Sequence, residues 1–208
     1  MVIFSSSFLE TMPKLVAQLE ADSSVEVVVV AAEQSGSYGD VEAHAAFAFC
    51  VLGLLFAIHG PIEFSVDLLV AWAVLFYAAG LLIAARIAPL HRLLTSRRRR
   101  HNQVVDRARA AFFVERIAST RERTGILLYL SALEREAVIL TDTGVDARVP
   151  AALFHTLQAG WGACASLPQL EEKVLAQLPQ LAQPLSQALP RALDDINELP
   201  DEVRLRRA

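Results

Sequence analysis

The residues best placed to do chemistry are Asp142 and Asp146, which follow the apolar run AVILT at residues 137–141. Ligands of α/β domains gather at the carboxyl ends of strands. With Glu134, or with Asp194 and Asp195 if the C-terminal segment folds back, these carboxylates could supply the oxygens that a hard divalent cation, calcium or magnesium, requires. A plainer reading stands beside it: Asp142-Thr143-Gly144 is turn chemistry and nothing more. Asp-Thr-Gly after an apolar strand is also the aspartic-protease arrangement, which needs two such aspartates sharing one proton. The chain holds a single Asp-Thr-Gly, so only a homodimer could complete that pair. Glu134 and Arg135 could act as the acid and the cation of a site, or sit solvated at a hairpin tip.

Other reactive groups are scattered. His44, His59, His91, His101 and His155 have no second ligand at helical or hairpin spacing, and no motif supports His101 or His155 as a phosphatase nucleophile. Cys50 and Cys164 read as packing residues, the first within an apolar stretch and the second in a helix. No phosphate loop, dinucleotide fingerprint or nucleophile elbow is present.

The elements that must position these residues follow in order. Residues 8–21 suit a short amphipathic helix, with Leu15, Val16 and Leu19 on one face and Pro13 in its first turn. Residues 25–32 (VEVVVVAA) are β-branched and apolar at nearly every position, as in a strand covered on both faces. Residues 126–132 and 137–141 form two more such strands, joined by the polar connection at residues 133–136. Residues 104–119 read as a helix with arginines on its outer side, and residues 151–166 and the stretch from Pro168 onward as two further helices, the last kinked at Pro179. The first strand has no neighbour near it in sequence and must pair with the later hairpin.

Between the first strand and the rest lies an apolar block. Residues 45–58 and 68–85 carry no charge, and His59-Gly60-Pro61 and Glu63 interrupt them. Roughly 20 apolar residues cross a hydrocarbon core of about 30 Å. The block therefore reads as a transmembrane hairpin, with spans at about 42–60 and 64–87 and Asp40 capping the first. Arg97, Arg98, Arg99 and Arg100 read as a membrane anchor beside the second span rather than a nucleic-acid patch. Arginines beside a span stay cytoplasmic, which puts both termini inside and the turn outside. The stretches 45–58 and 68–85 at the heart of the spans carry no charge, so a transport path would have no internal carrier.

The run from Thr124 through Arg135 (TGILLYLSALER), then Val138-Ile139-Leu140, Asp142-Thr143-Gly144 and the close Asp194-Asp195-Ile196-Asn197-Glu198-Leu199-Pro200-Asp201, resembles the TPM-domain family. More narrowly, it is similar to that family's bacterial branch of two-span membrane proteins. The resemblance implies a small three-layer (αβα) TPM-like domain, with the transmembrane hairpin inserted after its first strand. Residues 1–40 would hold its first helix and strand, 41–90 the hairpin, 91–200 a basic juxtamembrane segment and the remainder of the domain, and 201–208 a loose tail. It also implies the bacterial inner membrane as location. The family has been labelled phosphatase, some soluble members bind calcium, and others are accessory proteins of membrane complexes. This chain departs from the soluble members: it lacks an acidic-plus-glycine motif ahead of the first helix, and residues 142–150 are poor in glycine. The expectation is a binding or accessory module meeting the bilayer and a membrane-protein partner, with a divalent-cation-dependent phosphatase-like hydrolase as the alternative.

Overall fold

The computed structural model describes residues 4–61, 65–162, 164–191, 199 and 202–206. The chain divides into two units, one of residues 1–35 with 100–208 and one of residues 36–99. The first is a mixed α/β unit. Helix α1 (Ser6–Ala21) starts where the Ser5 hydroxyl accepts from the Phe8 N–H, and buries Phe8, Met12, Val16 and Leu19. Strand β1 (Glu26–Ala32) is buried along its whole length.

The expected long-range pairing is present: β1 lies parallel to β2 (Gly125–Ser131), with Val27 opposite Ile126 and Ala32 opposite Ser131. Strand β3 (Glu136–Thr141) returns antiparallel to β2. Its four-residue connection closes with Arg135 in the left-handed region at φ 55°.

The expected loose tail is corrected. Arg204–Arg206 form a strand that pairs parallel with β1 and gives the order β3-β2-β1-β4, numbering it β4. Its Arg-Leu-Arg pattern has no apolar run to announce it. Glu115 holds the strand by ion pairs to both Arg204 and Arg206.

Alternation along the strands fills both faces of the sheet, because successive side chains point to opposite sides. Val27, Val29, Leu128, Leu130 and Ile139 join one cluster with α1 and the C-terminal helices. Val28, Val30, Leu127, Tyr129 and Val138 join the other, against Val104, Ala108 and Ala111. Those last three belong to helix α5 (Arg97–Val114).

After β3 come α6 (Thr143–Asp146), α7 (Ala151–Trp161), α8 (Leu167–Gln177) and α9 (Ala182–Ala188). Pro179 converts the junction of the last two into a 3₁₀ turn. Cys164 sits between α7 and α8 rather than within a helix, because the first ends at Gly162.

The second unit holds α2 (Gly39–His59), α3 (Val66–Arg86) and the short α4 (Ala88–Leu94). The cap of α2 is Tyr38, so Asp40 stands in the first turn and not at the cap. Both α2 and α3 are long and apolar enough to cross a membrane. They pack through small residues. A Cβ added to Gly80 would come within 2.9 Å of the Ala46 Cα and Phe49 Cβ. The Cys50 thiol donates to the Ala73 carbonyl at 3.3 Å.

Candidate functional site

The sequence points to Asp142, Asp146 and Glu134, and the fold separates them. Asp142 follows the end of β3 that faces Ile126, whereas Glu134 precedes the end that faces Ser131. The five-residue step between those ends is about 17 Å at roughly 3.4 Å per residue.

Asp142 is 4% exposed. Its carboxylate accepts from Arg123 Nε at 2.8 Å and Nη2 at 3.1 Å, and from the Thr143 N–H at 2.7 Å. It thereby caps α6, the role its type favours at a helix start. Gly144 completes this corner: its N–H donates to the Arg123 carbonyl at 2.9 Å, and a Cβ there would overlap the Glu122 carbonyl oxygen. The Asp-Thr-Gly run is thus a packed turn. Asp146 is exposed and accepts from the Thr141 hydroxyl. Asp194 and Asp195 lie outside the described residues. Among the described residues, no three His, Cys, Asp or Glu side chains gather as a metal site.

Glu134 occupies a different setting from the solvated hairpin tip expected for it. It is 4% exposed and sits at the carboxyl ends of the parallel strands β1 and β2. Its two carboxylate oxygens each accept from the Ser35 N–H at 3.2 Å, and one accepts from the Ser131 hydroxyl. Ser35 Oγ donates to Ser131 Oγ at 2.7 Å and lies 3.2 Å from the Tyr129 hydroxyl. Because Ser35 spends its proton on Ser131, Tyr129 donates to Ser35. The result is a directed chain of hydroxyls, Tyr129 to Ser35 to Ser131, ending on the Glu134 carboxylate.

Arg107 Nε closes the group by donating to the Ser35 carbonyl at 3.1 Å. Burial pushes the Tyr129 phenol above its ordinary value of 10. Chemically this cluster can hold a proton on Tyr129 and fix the backbone of Ser35. Four of its members, Ser35, Arg107, Tyr129 and Ser131, were not visible to sequence reasoning. Ser35 and Ser131 are small polar residues 96 positions apart. The one usable signal was a serine and a tyrosine inside an otherwise apolar strand.

The histidines are placed as follows. His101 pairs with Glu136 at the start of β3. His91 is buried, stacked on Tyr38 at 5.2 Å between ring centres, with its Nε2 3.1 Å from Glu42. His155 is exposed on α7. Of the arginine run, Arg99 grips Asp40 with both terminal nitrogens, at 2.6 and 2.8 Å. Burial raises the Cys164 thiol above its ordinary value, which suits a packing residue.

No protein-family model and no curated protein matches this chain. Among solved structures, the NMR structure of BA42 protein from the psychrophilic bacterium Bizionia argentinensis is similar at 14% identity and a TM-score of 0.56. The alignment covers 98% of this chain and 95% of that one, which is a likeness of fold.

Proposed function

We propose that this protein sits in the bacterial cytoplasmic membrane through α2 and α3. Its sheet unit, a TPM-type three-layer domain, then works on the cytoplasmic face as a binding or accessory module for another membrane protein. The observation that carries the reading is the apolar surface of the two long helices. Phe47, Leu52, Val70, Val74 and Leu82 are each 64–68% exposed. A patch of that size on a helix about 31 Å long fits hydrocarbon and does not fit water.

Orientation follows from charge. Arg92 and the run Arg97, Arg98, Arg99 and Arg100 all follow α3, and basic residues beside a span are retained on the cytoplasmic side. The polar groups of the sheet unit support the module reading. Glu134 and Asp142 are both committed to holding loops, which suits a rigid recognition surface.

The test is topology and partnership together. In a background with Cys50 and Cys164 replaced by alanine, Pro61→Cys should react with a membrane-impermeant maleimide on intact cells, and Leu205→Cys should not. Photocrosslinkers on the sheet unit should join one membrane protein reproducibly. The reverse labelling pattern, or a chain extracted from membranes by alkaline carbonate, would sink the reading. Turnover of a generic phosphoester would replace the module with the hydrolase.

A further inference from the structure

We propose that the flank of α5 beside β3 is a binding groove for a small amphipathic anion, an organic monophosphate or carboxylate carrying a ring or short alkyl group. The groove stands without the membrane reading, which enters only through the nanodiscs of the test. Helix and strand approach one another at two points. His101 meets Glu136 at one end, and Phe112 and Leu140 line a common hollow at the other. Two hollows lie along this line. One is polar, about 390 Å³, and lined by His101, Asn102, Val105, Asp106 and Arg109. The other is about 160 Å³ and lined by Arg109, Phe112, Phe113, Leu140 and Thr141. Arg109 lines both, so its guanidinium stands where an anionic head would pass into an apolar body.

The polar half is built rather than incidental. Glu136 is 8% exposed, and its carboxylate accepts from His101 Nδ1. That bond fixes the ring and leaves Nε2 as the second polar atom for a ligand, an orienting device familiar from histidines held by carboxylates. The apolar half has the volume for one aromatic ring. Phe113 is 76% exposed there, a large area left in water on a domain helix.

Charge selects the ligand. Among the described residues Arg109 pairs with Asp106 alone, at 3.4 Å with both side chains about two-thirds exposed, a pairing that a better-placed phosphate or carboxylate displaces. A peptide strand is disfavoured as occupant, because Ala137, Val138 and Ile139 are buried and β3 offers no free edge along its middle.

The experiment is a ligand-observed NMR titration of the full chain in phosphatidylcholine nanodiscs, with phenyl phosphate as probe. Phenyl phosphate should bind saturably, and inorganic phosphate about tenfold more weakly, since it leaves the apolar half empty. Arg109→Gln should weaken phenyl phosphate about tenfold, and Asp106→Asn should tighten it by removing the competing carboxylate. Phe113→Ser should erase the advantage of phenyl phosphate over phosphate. All three side chains are solvent-facing, so the variants keep the fold. Absence of saturable binding to the wild type, or binding that Arg109→Gln leaves unchanged, would overturn the proposal. Adding phosphatidate to the discs distinguishes the source. Displacement of phenyl phosphate assigns the groove to a lipid headgroup and its retention to a soluble ligand, and either supports the groove.

Discussion

Ser35 is held at every polar atom. Its N–H goes to Glu134, its carbonyl accepts from Arg107, and its hydroxyl links Tyr129 to Ser131. Removing the carboxylate leaves buried donors without an acceptor, so Glu134→Ala should lower stability by about 2–3 kcal/mol, read from denaturant unfolding. Tyr129 gives a pH signature. Its folded value lies above its unfolded value of 10, so the folded chain favours the neutral phenol. That contribution is complete below pH 10 and is lost as pH rises through the folded value. Tyr129→Phe should therefore remove part of the alkaline decline in stability, while weakening the protein at neutral pH by about 1 kcal/mol through the lost hydrogen bond. Unfolding curves at a series of alkaline pH values would show an unchanged decline if the phenol were not the source. At this scale the sequence was half readable. Asp142-Thr143-Gly144 carries its turn in its own residue types. Glu134 does not, because the group that buries it comes from 99 residues away.

Elements were legible in proportion to their apolar runs. Strands β1, β2 and β3 and helices α2 and α3 each carry an unbroken apolar stretch, and all five lie within a few residues of their expected places. Strand β4 has three residues, two of them arginines, and owes its place to Glu115 rather than to its own pattern. Glu115→Ala should therefore release β4 while leaving β1–β2 pairing intact. Amide exchange should rise at residues 204–206 and at Glu33, whose N–H donates to the Arg206 carbonyl at 2.9 Å, and stay slow at residues 126–130. Exchange that rises across the whole sheet would mean the strand is integral and not an accessory edge. In the second unit the equivalent control point is Gly80. A leucine there meets the Ala46 backbone, so Gly80→Leu should part α2 from α3 by about 1–2 Å, the range over which side-chain size sets interaxial distance. Pulsed-EPR distances between labels at Phe47 and Leu82 measure it, and an unchanged distance would show that the pair does not depend on that close approach.

At the scale of the molecule, the chain leaves the sheet unit after its first helix and strand, at residue 35, and returns to it at residue 100. Among the described residues, both core clusters draw on the sheet unit alone. The β1–β2 ladder joins Glu26–Ala32 to Gly125–Ser131 across that excursion. Such an insertion is affordable because loop-closure entropy grows slowly, by about 0.6 kcal/mol for each doubling of length. The converse follows: shortening the excursion should not harm the fold. Ser35 lies against Arg107, and Arg107 is two helical turns from Arg100, so the gap to bridge is about 15 Å. Eight glycine and serine residues in extended form reach beyond that. Replacing residues 36–99 by such a linker should give a soluble chain with mixed α/β circular dichroism and cooperative unfolding. It should be at least as stable as the sheet unit in the intact protein, since the shorter loop loses less entropy on closing. The amide protection of Val27–Val30 is the decisive readout, because those residues gain partners only if the two halves meet. Rapid exchange there, in a chain that otherwise stays soluble, would mean that the two apolar helices help build the sheet and are not merely accommodated by it.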